Sequence, residues 1–150
     1  MERITKDIYI GGVTTKATVK QKKIKYVVNL VGLPLSYRND KFPIRDGNTG
    51  NDPIMFLRIM QTIDKHIKRN RTPIFINCAM GMSRSPVICA LYLYYSGRSP
   101  KYTNFDDTLN FVIRRSKVAA PNDELIQFTK KRAIPFIDSL GTKNRRYRAS

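Results

Sequence analysis

Apolar residues along this chain fall into short continuous runs and longer periodic stretches, and the two patterns predict different elements. Runs at residues 8–10, 26–31 and 73–77 are rich in Ile, Val, Tyr and Phe and too short for helices. They predict buried strands, with a weaker one near 42–45. Between residues 53 and 69, Ile54, Phe56, Leu57, Met60, Ile63 and Ile67 recur at roughly helical spacing. Asp52-Pro53 opens that stretch with a cap and a first-turn proline. Further helices are predicted at 14–22, 85–96, 104–116 and 122–139, the last capped by Asn122. Strands alternating with helices predict an α/β fold with a central, mostly parallel sheet flanked by helices.

Composition narrows the picture. The 150 residues, 41% of them hydrophobic, suit a single domain over 1–150 with a basic tail at about 141–150. No apolar run approaches the length of a membrane span, and no apolar signal core opens the chain, so an intracellular, cytoplasmic location is expected. The two cysteines form no disulfide framework and suit a reducing compartment. Cys89, on a predicted helix, reads as a packed thiol. His66, the only histidine, stands among charged neighbours and is expected to be solvated. No Cys/His cluster is present, so neither a metal nor a cofactor is expected.

The net charge of +17, from 28 basic and 11 acidic residues, would draw anionic partners with strong salt dependence. Lys16, Lys20, Lys22, Lys23 and Lys25 form one cluster; Lys143, Arg145, Arg146 and Arg148 form another. They are either a solvated surface or a docking surface for acidic protein, nucleic acid or anionic lipid.

The segment Ile74-Phe75-Ile76-Asn77-Cys78-Ala79-Met80-Gly81-Met82-Ser83-Arg84-Ser85-Pro86 carries the candidate chemistry. An apolar strand leads to Cys78; five residues later Arg84 and Ser85 precede Pro86 and an apolar helix. Backbone amides of Ala79, Met80, Gly81, Met82 and Ser83 at a helix N-terminus, with Arg84, would cradle a phosphate-sized dianion over a thiol. A free thiol is mostly protonated at neutral pH, and this surrounding favours its anion. Cys78 is the expected nucleophile and Arg84 the bidentate phosphate ligand. Ser85 either assists the sulfur's departure or caps the helix. Asp40, Asp46 and Asp52 are candidate proton donors, and Asp52 reads better as a helix cap.

These residues resemble the His-Cys-x5-Arg-Ser/Thr signature of the cysteine-dependent protein phosphatases, in particular the compact dual-specificity group. Ile8-Tyr9-Ile10-Gly11-Gly12, Tyr26-Val27-Val28-Asn29-Leu30, Arg115 and Pro121-Asn122 extend the resemblance over most of the chain. It implies hydrolysis of phosphotyrosine and phosphoserine or phosphothreonine in proteins through a cysteinyl-phosphate intermediate. It also implies that Asp46, 32 positions before Cys78, is the general acid and then base. Asn122 is implied to brace the anion loop. Asn77 departs from the pattern, standing where the family has histidine; it forms hydrogen bonds but brings no positive charge. Residues 32–41, with Tyr37 and Arg38, are candidates for the site entrance. The alternatives are an RNA 5′-phosphatase of the same superfamily, a phosphoinositide phosphatase, and a non-catalytic phosphate-binding module.

Overall fold

The computed structural model describes residues 1–98 and 104–140. Five strands form one sheet: β1 (Glu2–Arg3), β2 (Ile8–Gly11), β3 (Tyr26–Asn29), β4 (Asp40–Lys41) and β5 (Ile74–Asn77), in the spatial order β1-β2-β5-β3-β4. Only the β1–β2 pair is antiparallel. β5 lies in the middle, pairing Ile76 with Ile10 on one side and Val28 on the other. Its four residues are all buried, which is why it reads as an unbroken apolar run.

The two sheet faces are unequal. Ile74 and Ile76 face a large core, shared with α2 (Pro53–Lys68), α3 (Arg84–Ser96), α4 (Phe105–Arg115), α5 (Asp123–Phe128) and α6 (Ile134–Leu140). Phe75 faces the other way, with Tyr9, Val27 and Tyr37, under the short α1 (Lys16–Gln21). The fold is therefore the expected α/β sheet between helices, with the helices mostly on one side. Each fully buried aromatic or aliphatic side chain in such a core contributes about 1.5–3 kcal/mol of transfer free energy.

Local chemistry explains the boundaries. Thr15 caps α1, accepting from the Thr18 amide, and Asp52 caps α2, accepting from the Ile54 amide at 2.9 Å. The buried stripe of α2 is Phe56, Ile59, Met60, Ile63 and Ile67. Ile54, expected in that stripe, is 47% exposed, and Ile59 takes its place. Strand β3 stops at Asn29, short of the predicted residue 31, because the Asn29 Oδ1 accepts the Val31 amide at 2.9 Å and turns the chain. The weak strand near 42–45 is shifted to Asp40–Lys41. Even so, the Phe42 and Ile44 amides still donate to Asn29 and Leu30 carbonyls, straddling Pro43 on this edge.

The single helix predicted over 122–139 is interrupted by a π-helical turn at Thr129–Ala133. Pro135, at the start of α6, has no N–H for the preceding turn, which disfavours regular α-helical bonding there. β1 is too short to leave a pattern and was not predicted. The basic tail at 141–150, with Lys143, Arg145, Arg146 and Arg148, lies outside the described residues. Among the described residues, no helix is long and apolar enough to cross a membrane.

His66 is not the solvated side chain the sequence suggests. Its ring stacks on Tyr26 with centroids 3.6 Å apart and planes 14° from parallel. Its Nδ1 is buried without a hydrogen-bond partner among the described residues. Tyr26 in turn donates its hydroxyl to Asp40 at 2.8 Å. Burial, and then the neighbouring Arg71 charge, hold the His66 pKa below its ordinary value, against an opposing pull from Asp40.

The loop after β5 meets the end of β2 backbone to backbone. Gly81 has φ +74°, and a Cβ there would lie 2.6 Å from the Gly12 nitrogen. A Cβ on Gly12 would lie 2.8 Å from the Ala79 carbonyl oxygen. Neither position has room for a side chain.

Two outcomes are expected. Gly81→Ala destabilises the protein by about 1–3 kcal/mol, from strain at a left-handed position, plus whatever the clash adds. Gly32→Ala is the control, since nothing lies within 4 Å of its Cβ. Equal melting temperatures for the two variants would refute the packing described. For His66, the depressed folded-state pKa means its neutral form stabilises the fold. That contribution is complete above about pH 6.5 and fades as pH falls through the lower folded value. Between pH 7.5 and 5.5 the wild type should therefore lose more melting temperature than His66→Gln; parallel losses would contradict the assignment.

Candidate active site

Three strands end together beneath the candidate loop. Gly11 of β2, Asn29 of β3 and Asn77 of β5 are in register, and Cys78 follows directly. Its amide donates to the Gly11 carbonyl at 3.0 Å, while the Asn77 carbonyl accepts from Leu30 at 2.9 Å. The chain then leaves the sheet, turns at Gly81 and enters α3 at Arg84.

Neighbouring backbone takes up two of the loop's carbonyls. The Ala79 carbonyl accepts from the Val13 amide at 3.1 Å, and the Met82 carbonyl accepts from the Ala120 amide at 2.7 Å. By contrast, the amides of Ala79, Met80, Met82, Ser83 and Arg84 have no acceptor among the described residues. Unpaired donors at the start of a 13-residue helix form an electropositive site for an anion. Met80 and Met82 are 74% and 40% exposed.

Cys78 is only 2% exposed. Its Sγ lies 3.4 Å from the Ser85 Oγ, which is fully buried and sits a further 3.4 Å from the Gly11 carbonyl. Ser85 is within the first turn of α3 and Ser83 is its N-cap, so the cap reading of Ser85 does not hold. The other cysteine, Cys89, is fully buried in α3, and burial pushes its pKa far up.

Asp46 meets the loop from the segment after β4. Its Oδ1 accepts from the Ser83 hydroxyl at 2.5 Å. The same hydroxyl accepts from the Asn122 amide at 2.8 Å, and Asn122 Nδ2 donates to the Asp46 carbonyl at 3.0 Å. Asn122 also caps α5 by accepting from Glu124. Arg84 Nη1 donates to the Ile44 carbonyl at 3.2 Å, two residues before Asp46. The structure thus draws Cys78, Ser83, Arg84, Ser85, Asp46 and Asn122 into one cluster. Asn77 lies beneath it, fully buried, with Nδ2 at 3.5 Å from the Cys78 carbonyl and no partner for Oδ1 among the described residues.

Two features had not been anticipated. Ser83 acts through its hydroxyl, tying Asp46 to Asn122; its neighbours in sequence give no sign of this. Asn51 clamps the Asp46 segment, accepting from the Arg45 amide and donating to the Arg45 and Gly47 carbonyls. The residues on both sides of Asp46 are therefore held in place. Tyr37, considered for the entrance, is 5% exposed and packs against Phe75 on the opposite sheet face. Among the described residues no three His, Cys, Asp or Glu side chains group as a metal site.

The family model for the dual specificity phosphatase catalytic domain matches residues 8–131. Human dual specificity protein phosphatase 1 is 28% identical over 103 residues, covering 66% of this chain and 27% of that protein. This chain thus matches about a quarter of that relative's length. Among solved structures, a mouse putative dual specificity phosphatase superposes with a TM-score of 0.76 at 18% identity, covering 93% of this chain and 90% of that one. Human DUSP28 gives 0.75 at 14% identity, with 93% and 99% covered. At such identities the structural likeness concerns the fold, and the sequence match concerns the domain. With the family model spanning most of its length, this chain belongs to the family of dual specificity phosphatase catalytic domains.

Proposed function

We propose that residues 1–150 form one catalytic unit that hydrolyses phosphomonoesters in proteins, on tyrosine and on serine or threonine, through a phosphate carried on Cys78. The observation that carries this reading is the polarity of the loop over Cys78, whose Ala79 and Met82 carbonyls are taken by neighbours while five amides have no acceptor among the described residues. The mouse relative was crystallised with zinc tungstate, and tungstate is a tetrahedral oxyanion of the shape such amides suit.

In the first half-reaction the Cys78 thiolate attacks phosphorus in line, the bond from phosphorus to the departing oxygen breaks, and Asp46 gives that oxygen its proton. In the second, Asp46 takes a proton from water as the water attacks phosphorus. The sulfur leaves as thiolate, and the Ser85 hydroxyl, which donates to the Gly11 carbonyl in the free protein, rotates to donate to the sulfur. Arg84 exchanges the Ile44 carbonyl for two phosphate oxygens, and Asp46 exchanges Ser83 for the leaving group. Cys78 is 2% exposed, so turnover requires the substrate to displace the groups that cover the sulfur. Donors aimed at charge that develops in the transition state are each worth roughly 10²–10³ in rate. Ala79, Met80, Gly81, Met82 and Ser83 contribute through their backbones, and Asn77 and Asn122 support the loop from behind.

Cys78→Ser should abolish turnover of an aryl phosphate and of phosphopeptides, by at least about 10³-fold, with an unchanged melting temperature. A variant as active as wild type would refute the nucleophile; a wild type that binds phosphopeptide but turns over nothing would make the domain a binding module. Preference for triphosphate-ended RNA at matched ionic strength would move the substrate class to RNA. Asp46→Asn should slow a substrate with a poor leaving group by about 10²-fold and one with a good leaving group far less. Equal losses on the two would remove Asp46 as the acid.

A further inference from the structure

The proposed chemistry uses one end of the sheet, and the other end carries a second concavity. It opens where β3 begins, between α1, the connection leading into β4 and the end of α2. The groove has a volume of about 780 Å³. Its rim carries Lys16, Lys20, Lys25, Arg38 and Arg71, all exposed, and none forms an ion pair among the described residues. One carboxylate, Asp40, faces them, and it accepts the Tyr26 hydroxyl. The floor is apolar, made by Val19, Ile24, Val27 and the buried ring of Tyr37.

Three of the five lysines that cluster near the start of the chain therefore converge on one groove, together with Arg38 and Arg71 from distant parts of the sequence. Unpaired cations above an apolar floor complement an acidic peptide that also presents an aliphatic side chain. Single-stranded nucleic acid fits less well, because it needs open aromatic faces for its bases. Here Tyr26 and His66 cover each other's faces and Tyr37 is buried beneath Thr14 and Phe75. Tyr26 and Asn29 are three strand residues apart, so the groove begins roughly 10 Å along the sheet from the end where Cys78 lies. An extended peptide covers such a separation in a few residues.

We propose that this groove docks an acidic, extended segment of the protein whose phosphorylated residue reaches Cys78. The identity of the docked chain as substrate rests on the hydrolase reading; the binding of an acidic peptide does not.

The test uses Lys20→Gln/Lys25→Gln/Arg71→Gln, with Lys16→Gln/Arg38→Gln as a second, independent variant, each checked for an unchanged melting temperature. In the Cys78→Ser background, a fluorescent, unphosphorylated peptide of about twelve residues, rich in Asp and Glu with a central Leu, should bind about tenfold more weakly to the triple variant. Raising salt from about 50 to about 300 mM should weaken its binding to the parent more than to the variant. With Cys78 intact, the triple variant should show a KM raised about tenfold with kcat unchanged on an acid-flanked phosphopeptide, while its aryl phosphate turnover stays within about twofold. Equal peptide affinity for parent and both variants would overturn the proposal. So would an oligouridylate of similar length that binds more tightly than the peptide and loses that binding in the same variants. A parent that binds the peptide through the groove yet hydrolyses nothing would sink the hydrolase reading and leave the docking site standing.

Discussion

The contact between Gly81 and the Gly11-Gly12 backbone is the constraint on which the site depends. It brings the loop after the central strand to within a hydrogen bond of the end of its neighbour, closer than any side chain allows. Because β2 and β5 are parallel and in register, both strands finish at one level. The Cys78 amide then bonds Gly11, and the Ala79 carbonyl bonds Val13. With the Ala79 and Met82 carbonyls drawn off to the flanks, the loop amides of Met80 and Met82 have no acceptor among the described residues. The proposed anion site thus rests on sheet geometry and two absent Cβ atoms, to which Arg84 adds its charge.

A second layer of polar contacts joins three segments far apart in sequence. The Ser83 hydroxyl stands between the Asp46 carboxylate and the Asn122 amide, and Arg84 reaches the Ile44 carbonyl. Asn51 holds the Asp46 segment in shape from the far side. In this arrangement the groups proposed to touch substrate satisfy one another. Phosphate would replace those contacts with stronger charge-assisted ones, at modest reorganisation cost. Asn77 sits below with an unpaired buried oxygen, an unfavourable feature that the local packing tolerates.

Much of this was legible in the sequence where its signals were local. Cys78, Gly81, Arg84 and Ser85 lie within eight residues, and β5 announces itself as a run buried on both faces. Helix caps at Asp52 and Asn122 were equally plain, because a cap is a relation between near neighbours. Asp46 was singled out by family resemblance, since nothing in its own surroundings distinguishes it from a turn residue. The Ser83–Asp46 and Asn122–Asp46 bonds are tertiary and leave no periodic trace. His66 misled for the same reason: its charged neighbours along α2 are visible, whereas the Tyr26 ring that covers it comes from 40 positions earlier. The π-helical turn had a signal, Pro135, that the regular apolar spacing obscured.

Transfer of phosphate to Cys78 is the central claim, and it is directly measurable. Wild-type protein mixed with a phosphotyrosyl peptide, quenched in acid within the first turnovers and digested, should yield the Cys78 peptide carrying one added phosphate by mass spectrometry. Steady release of inorganic phosphate with the Cys78 peptide unmodified at every time point would contradict the account.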